Sequence, residues 1–384
     1  MLDGTNVALG ITGSVAAVTV VELAHELRRR GATVRALMTE AAEGIVHPDA
    51  VSYATDAPAV TELTGAVEHV DLCGKEGWAD VCLIAPATAN TIGKIAGGID
   101  DTPVTTGVTT ALGAGVPVVV APAMHEGMFD HPGVAANLDQ IEEWGVTVVP
   151  PRIEEGKAKI ATADTIALET ARAVGPNPLA GTTVVVTSGP TAEPIDPVRV
   201  LTNRSSGRTG RAVARGVYVR GGDVILLHSQ DEVPYADVRA VETAAEMTDA
   251  AVAAATDADA LVSAAAISDY TVDPAAEKLG SGEARTLELE PTPKLLDAVR
   301  EAAPELPMVG FKVESDREAL LQAARDLRER VGLAFVVANH TDVLESEQTA
   351  VEFVYRDRAE SFQGSKARLG LDVADRLAAA TEAA

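Results

Sequence analysis

Cysteine is almost absent from this 384-residue chain, which has only Cys73 and Cys82. Two are too few for a disulfide framework, and their spacing is not that of a CxxC metal-ligand pair, so zinc is not expected. Long apolar runs are missing too. No stretch approaches the eighteen or so consecutive apolar residues of a spanning helix, so no contact with a membrane is expected. The segment Val7 to Val21 lacks a basic leader and is interrupted by Gly10 and Gly13, so it reads as strand, turn and helix rather than signal peptide, and a cytoplasmic location is expected. Positive charge is in short supply, and lysine contributes only eight of the 31 basic residues. No basic patch is available to neutralise a phosphate backbone, which excludes general affinity for nucleic acid.

What is present in excess is acid. The formal charge is −26, with 23 acids and 10 bases in residues 1–178 and 34 acids and 21 bases in the remainder. Such an even spread excludes an acidic tail. A uniformly acidic, lysine-poor surface resembles that of proteins from salt-loving organisms, where salt screens the self-repulsion, although an ordinary acidic enzyme has the same sign.

The chain offers two nucleotide-type openings about half a chain apart. "NVALGITGS" at residues 6–14 is a short apolar strand, a turn with two glycines and the start of a helix; "GPTAEPIDPVRVLTNRSSGRTG" at 189–210 follows the apolar run Thr183 to Ser188. A glycine turn between strand and helix brings backbone N–H groups and a helix N-terminus to a phosphate. One such entrance serves one domain, and 384 residues leave room for two ordinary domains.

Runs of Val, Ile and Leu alternate with alanine-rich helical stretches along the whole chain, the pattern of an α/β protein with a parallel sheet. Strands are expected at Asn6–Leu9, Thr33–Met38, Asp80–Ala85, Val116–Ala121 and Val146–Pro150. "GPNPLAG" at 175–181 then punctuates the chain. It sets the expected boundary between a first domain at 1–178 and a second at 179–384. Beyond it the pattern restarts, with strands expected at Thr183–Ser188, Asp223–His228, Ala260–Ala265, Met308–Phe311, Leu333–Ala338 and Val351–Tyr355, and a terminal helix that frays. The fold expected is two Rossmann-like three-layer domains with mostly parallel sheets.

Polar groups gather where strands end. "APATANTIGKIAGGIDD" at 85–101 follows "VCLIA", which puts Thr88, Asn90 and Thr91 at the carboxyl edge of the sheet, where open α/β folds bind ligands. "APAMHEGMF" at 121–129 does the same after "VPVVV". Gly10 and Gly13 do not have the GxGxxG spacing, which disfavours a nicotinamide dehydrogenase.

With "EHVDL" at 68–72, these segments resemble the flavin-dependent cysteine decarboxylases, and most closely the decarboxylase half of the bifunctional coenzyme A biosynthesis enzymes. The resemblance implies FMN held by Gly13, Ser14, Thr39, Thr88, Asn90 and Thr91. His69 is then the catalytic histidine, and Met124 and His125 contact the substrate. Loss of CO₂ from a cysteinyl carboxylate needs an electron sink, which FMN supplies by oxidising the CH₂–SH toward a thioaldehyde and later returning the hydride. Two departures stand out. The family's "PAMN" reads "PAMH" here, and a histidine still offers a hydrogen-bond donor. The family's clamp cysteine has no counterpart in "PRIEEGKAKIATADTI" at 151–166; a water on His125 or Lys157 is expected to deliver the last proton, with Cys73 dispensable.

The second opening resembles the phosphopantothenate–cysteine ligases, which form the other half of those enzymes. There CTP activates the phosphopantothenate carboxylate as an acyl cytidylate and the cysteine amine displaces CMP. By this resemblance Asn203 processes the acyl nucleotide and Arg199 contacts substrate. Asp269, Lys278, "PKLL" (Pro293, Lys294, Leu295, Leu296) and Phe311 bind the nucleotide, and Mg²⁺ accompanies its phosphates. Two lysines often found in the family correspond to Leu327 and Val331, with Arg325, Arg328 and Arg330 nearby as substitutes. The implied partners are 4′-phosphopantothenate, cysteine, CTP and further copies of the chain, through a trimeric flavin domain and a dimeric ligase domain. Two other readings are a single-function cysteine decarboxylase with a degenerate second domain and a flavin-binding regulatory subunit; Asn203 with Asp269 and Lys278 argues against the first, His69 against the second.

Overall fold

A computed structural model describes residues 1–229, 232–282, 284–340 and 348–382. The chain divides into two compact units, Met1–Gly175 and Pro176–Ala384. Each is an α/β unit on a mostly parallel sheet.

In the first unit the strands are β1 (Asn6–Ile11), β2 (Thr33–Met38), β3 (Val81–Ala87), β4 (Val118–Pro122), β5 (Met124–His125), β6 (Thr147–Val148), β7 (Arg152–Glu154) and β8 (Lys157–Lys159). Five of them form a parallel sheet in the order β2-β1-β3-β4-β6. Its central strands are buried on both faces, as their unbroken apolar runs require. The chain leaves β1 toward β2 and returns to β1's other side as β3. The order therefore reverses at β1/β3, and the crevice of such a sheet opens there. β5, β7 and β8 form a separate antiparallel ribbon beyond the strands expected from the sequence. Its hairpin turns at Glu155 and Gly156, with φ of 53° and 68°. Two successive left-handed residues are what a tight two-residue hairpin demands.

The second unit repeats the plan. Its strands are β9 (Thr183–Thr187), β10 (Ala192–Pro194), β11 (Val200–Thr202), β12 (Asp223–His228), β13 (Asp237–Ala240), β14 (Ala260–Ser263), β15 (Tyr270–Thr271), β16 (Glu290–Pro291), β17 (Met308–Glu314), β18 (Phe335–His340), β19 (Gln348–Val354) and β20 (Ala359–Ser365). The main sheet runs β13-β12-β9-β14-β17-β18-β19-β20, parallel as far as β18 and antiparallel beyond. Here the order reverses at β9/β14. Both glycine turns thus leave the first strand of a sheet at its reversal point.

The terminal helix Lys366–Thr381 does not behave as a loose tail. It buries Leu369, Leu371, Val373, Ala374, Leu377 and Ala378. It also crosses the helix Arg208–Val219 so closely that a Cβ on Gly216 would lie 2.1 Å from the Gly370 carbonyl oxygen, and one on Gly370 would lie 1.9 Å from that of Ala212. Only glycine fits at either place.

Candidate functional sites

In the first unit, the carboxyl ends of β1, β3 and β4 open into a cavity of about 1020 Å³. Gly13, Ser14, Thr39, Thr88, Asn90 and Thr91 all line it, as do Met124 and His125. The reason lies in local sequence. Ser14, Thr39, Thr88 and Thr102 are each the N-cap of a helical segment, and each side chain accepts a backbone N–H of its own first turn. All four caps face the same cavity. Thr88 is fixed further: its N–H donates to Thr12 Oγ1 at 3.1 Å, and that hydroxyl donates to the Pro86 carbonyl at 2.7 Å. Gly13 has no room for a side chain, since a Cβ would stand 2.5 Å from Ala41 Cβ. Converging helix N-termini, hydroxyls and a large partly apolar volume fit a phosphorylated flavin.

The ribbon forms one wall of that cavity. β5 pairs with β8 so that His125 lies opposite Lys157 and Met124 opposite Ala158. Arg152 is paired with Glu154 at 2.9 Å, and Lys159 with Glu154 and Glu155 at 3.1 and 3.0 Å. Lys157 makes no ion pair among the described residues, and its ammonium is the cation left for a ligand.

His69 is not in this cavity. It sits in the short helix Glu68–Cys73, and its Nδ1 is buried with no hydrogen-bond partner. Around it Val67 and Val70 are 48% and 47% exposed, while Val15 and Val18, on the helical turn that borders the cavity, are 79% and 61% exposed.

Cys73 ends the His69 helix but points into the core. It is fully buried among Leu37, Ile84 and Val108, in hydrogen-bonding contact with the Cys82 thiol, whose ionisation is pushed up by that contact and by burial. A thiol so placed cannot serve as an acid in the cavity. Cys73→Ser is expected to leave the last, reductive step of the decarboxylation that the resemblance implies unchanged, with no oxidised decarboxylated intermediate accumulating. It should lower the thermal midpoint through a buried hydroxyl costing about 1–2 kcal/mol. Accumulation of that intermediate with CO₂ release intact would show that the thiol donates.

In the second unit, β10 and β11 pair as an antiparallel ribbon within the 189–207 segment, and its polar groups tie it to the strand ends. Thr191 Oγ1 accepts the Ser268 N–H at 2.9 Å, and Thr202 Oγ1 donates to the Thr191 carbonyl at 2.7 Å. Asn203 donates from Nδ2 to the Ala266 carbonyl at 2.7 Å and accepts the Ser205 N–H at 3.0 Å. It therefore stands at the β9/β14 reversal, exposed, just before the helix Arg208–Val219. Asp269 and Lys294 meet at 2.8 Å, both exposed, and Phe311 lies half-buried in β17.

Several residues fall elsewhere than the sequence suggested. Leu295 and Leu296 belong to the core under the sheet, Leu295 being 3% exposed, because they open an amphipathic helix. Leu327 and Val331 are core positions of the helix Arg317–Val331, and the Arg330 guanidinium is paired with Asp297. Arg325 is exposed on that helix, and Arg328 Nε is buried without a hydrogen-bond partner. Among the described residues no group of three His, Cys, Asp or Glu could hold a metal ion.

Arg199 and Asp196 act as a tether. Arg199 pairs with Asp196 at 2.6 Å and donates to the Leu279 carbonyl, next to the exposed Lys278. Burial raises the Asp196 carboxyl, but the N–H groups of Leu279, Val198 and Arg199 and the Arg199 guanidinium outweigh it and lower it to about 2. The folded value lies below the unfolded one, so the contribution to stability is complete above about pH 4 and is lost as pH falls through about 2. Asp196→Asn should lower stability at neutral pH, and its acid-unfolding curve should merge with the wild-type curve near pH 2. Parallel curves across that range would refute the tether.

Comparison with known proteins matches residues 1–175 to the family model described as "Flavoprotein" and residues 179–381 to the "DNA/pantothenate metabolism flavoprotein C-terminal domain". The chain is 46% identical to the coenzyme A biosynthesis bifunctional protein CoaBC of Thermococcus kodakarensis, over 98% of this chain and 94% of the relative. It is 32% identical to the protein of that name from Methanocaldococcus jannaschii, with the same coverage, and 33% identical to that of Bacillus subtilis, over 88% of this chain and 86% of the relative.

Proposed function

Since the chain belongs to the family of coenzyme A biosynthesis bifunctional proteins, we propose that it catalyses two consecutive steps. In the first, residues 179–384 couple 4′-phosphopantothenate to cysteine with CTP. In the second, residues 1–178 decarboxylate the 4′-phosphopantothenoylcysteine to 4′-phosphopantetheine with FMN. The observation that carries this reading is the occurrence of two sheet-reversal sites in one chain, one ringed by helix N-caps and one built around Asn203.

In the coupling site the phosphopantothenate carboxylate attacks the α-phosphate of CTP and pyrophosphate leaves; the cysteine amine then attacks the acyl carbon and CMP leaves. Asn203 orients the acyl nucleotide. Lys278 and the N-terminus of the helix Arg208–Val219 offset the charge that builds on the phosphates, and Mg²⁺ would enter with the nucleotide. Arg199 holds the Lys278 segment through Leu279.

In the decarboxylation site Gly13, Ser14, Thr39, Thr88, Asn90 and Thr91 would hold FMN, the helix N-termini there favouring a phosphate. When bound, FMN supplies the electron sink that lets the carboxylate leave as CO₂. Lys157 and His125 face each other across the ribbon and hold the water that protonates the product. His69 serves the cavity of a neighbouring copy in a head-to-tail ring, and the exposed Val67 and Val70 beside it, like the exposed Val15 and Val18 at the cavity's rim, are apolar surface open to such a contact.

The test is product analysis in high salt. Purified protein should carry a yellow chromophore released as FMN, and with phosphopantothenate, cysteine, CTP and Mg²⁺ it should yield 4′-phosphopantetheine, CMP and pyrophosphate. ATP in place of CTP should couple poorly. A colourless protein, or no CMP, removes the corresponding half of the assignment.

A further inference from the structure

We infer that His228 is the positioning residue of the loop that carries Asn203 and that it acts through Arg211; this rests on the coupling site proposed above. His228 ends β12, next to β9, and is completely buried. Its Nδ1 lies 3.1 Å from the Ser188 carbonyl oxygen and its Nε2 lies 3.3 Å from Arg211 Nη1. A carbonyl can only accept, so Nδ1 carries the proton. A guanidinium can only donate, so Nε2 must be bare. The two neighbours together select one neutral tautomer.

Arg211 passes this constraint to the loop. Its Nη2 donates to the Ser206 carbonyl at 3.0 Å, and Ser188, the residue on which His228 is anchored, donates from Oγ to the Gly207 carbonyl at 2.9 Å. Consecutive carbonyls of the loop are thus held from one buried imidazole by two routes. The packing leaves no slack. A Cβ on Gly189 would lie 3.1 Å from His228 Nδ1, one on Gly207 would lie 3.0 Å from Gly189 Cα, and one on Gly210 would lie 2.6 Å from Ser188 Cβ. Ser205, adjacent to the clamped Ser206, gives its N–H to Asn203 Oδ1. The amide of Asn203 is therefore oriented from one side by Ala266 and from the other by a loop whose position depends on His228. A misplaced loop weakens orientation of the acyl nucleotide in the reaction, which costs turnover rather than nucleotide affinity.

Four variants of the full chain test this: His228→Phe, which keeps the volume without the acceptor; His228→Gln, which keeps an acceptor for Arg211; Arg211→Met; and the Phe/Met double variant. Decarboxylation of supplied 4′-phosphopantothenoylcysteine in the other unit controls for protein quality. The coupling kcat is expected to fall about tenfold or more in His228→Phe and in Arg211→Met, with KM for CTP within about twofold of wild type. The double variant should be no slower than either single one, and His228→Gln should lie within about threefold of wild type. Wild-type coupling in His228→Phe, losses that multiply in the double variant, or a His228→Gln as slow as His228→Phe would each overturn the inference. If His228→Phe is insoluble, slow Arg211→Met beside near-normal His228→Gln supports it, and equal rates in those two refute it. An Asn203→Ala variant that couples normally would instead remove the site on which the inference rests.

Discussion

Asn203→Ala is expected to slow coupling of cysteine to phosphopantothenate by about 100- to 1000-fold, the scale for removing one oriented donor from a charge-building step. The same protein should decarboxylate supplied 4′-phosphopantothenoylcysteine at the wild-type rate. The side chain is exposed, so alanine there leaves no cavity. What it loses is specific: the Nδ2 bond to the Ala266 carbonyl and the Oδ1 acceptor for the Ser205 N–H. Neither supports the core, so the thermal midpoint should barely move. The separation matters more than the size of the loss, because the two activities are assigned to units with separate sheets and cores. Should Asn203→Ala stop both reactions in folded protein, the assignment of one site to each unit would be wrong.

The sequence carried the parallel strands and the cavity hydroxyls because both are local signals. An apolar run buried on two faces cannot be mistaken for a solvated segment, and Ser14, Thr39 and Thr88 immediately precede helices whose N–H groups they accept. The ribbon of β5, β7 and β8 was hidden because its residues are charged and its turn, Glu155–Gly156, is not a strong hairpin pair. A motif compared letter by letter does not say which way the side chains of "PKLL" point; Leu295 and Leu296 point under the sheet. The partnership of His228 with Arg211 and Ser188 spans 17 and 40 residues of chain, and no periodicity reports on a contact of that kind. Nor could spacing have told that Cys73 and Cys82, on a helix and a strand, share one buried contact.

His69→Asn is expected to slow decarboxylation by about 100- to 10,000-fold while leaving coupling intact, the range for loss of a positioned proton-handling group. The structure makes a stronger test available, because His69 and the cap-lined cavity are separate in a single chain. A head-to-tail ring would join the Val67/Val70 surface of one copy to the Val15/Val18 rim of the next, so each complete site would draw on two chains. A second variant, Gly13→Val, should lose flavin, since even a Cβ there would stand 2.5 Å from Ala41. Each variant alone should be inactive as a decarboxylase. Co-expressed in equal amounts, they should recover about a quarter of the wild-type activity, the chance that an intact histidine faces an intact cavity at a given junction of a randomly mixed ring. The recovered activity should disappear on dilution or mild denaturation that separates the copies, while circular dichroism reports that the chains remain folded. No recovery in mixed oligomers of demonstrated composition would mean that His69 serves its own chain or no site at all, and the ring would have to be abandoned.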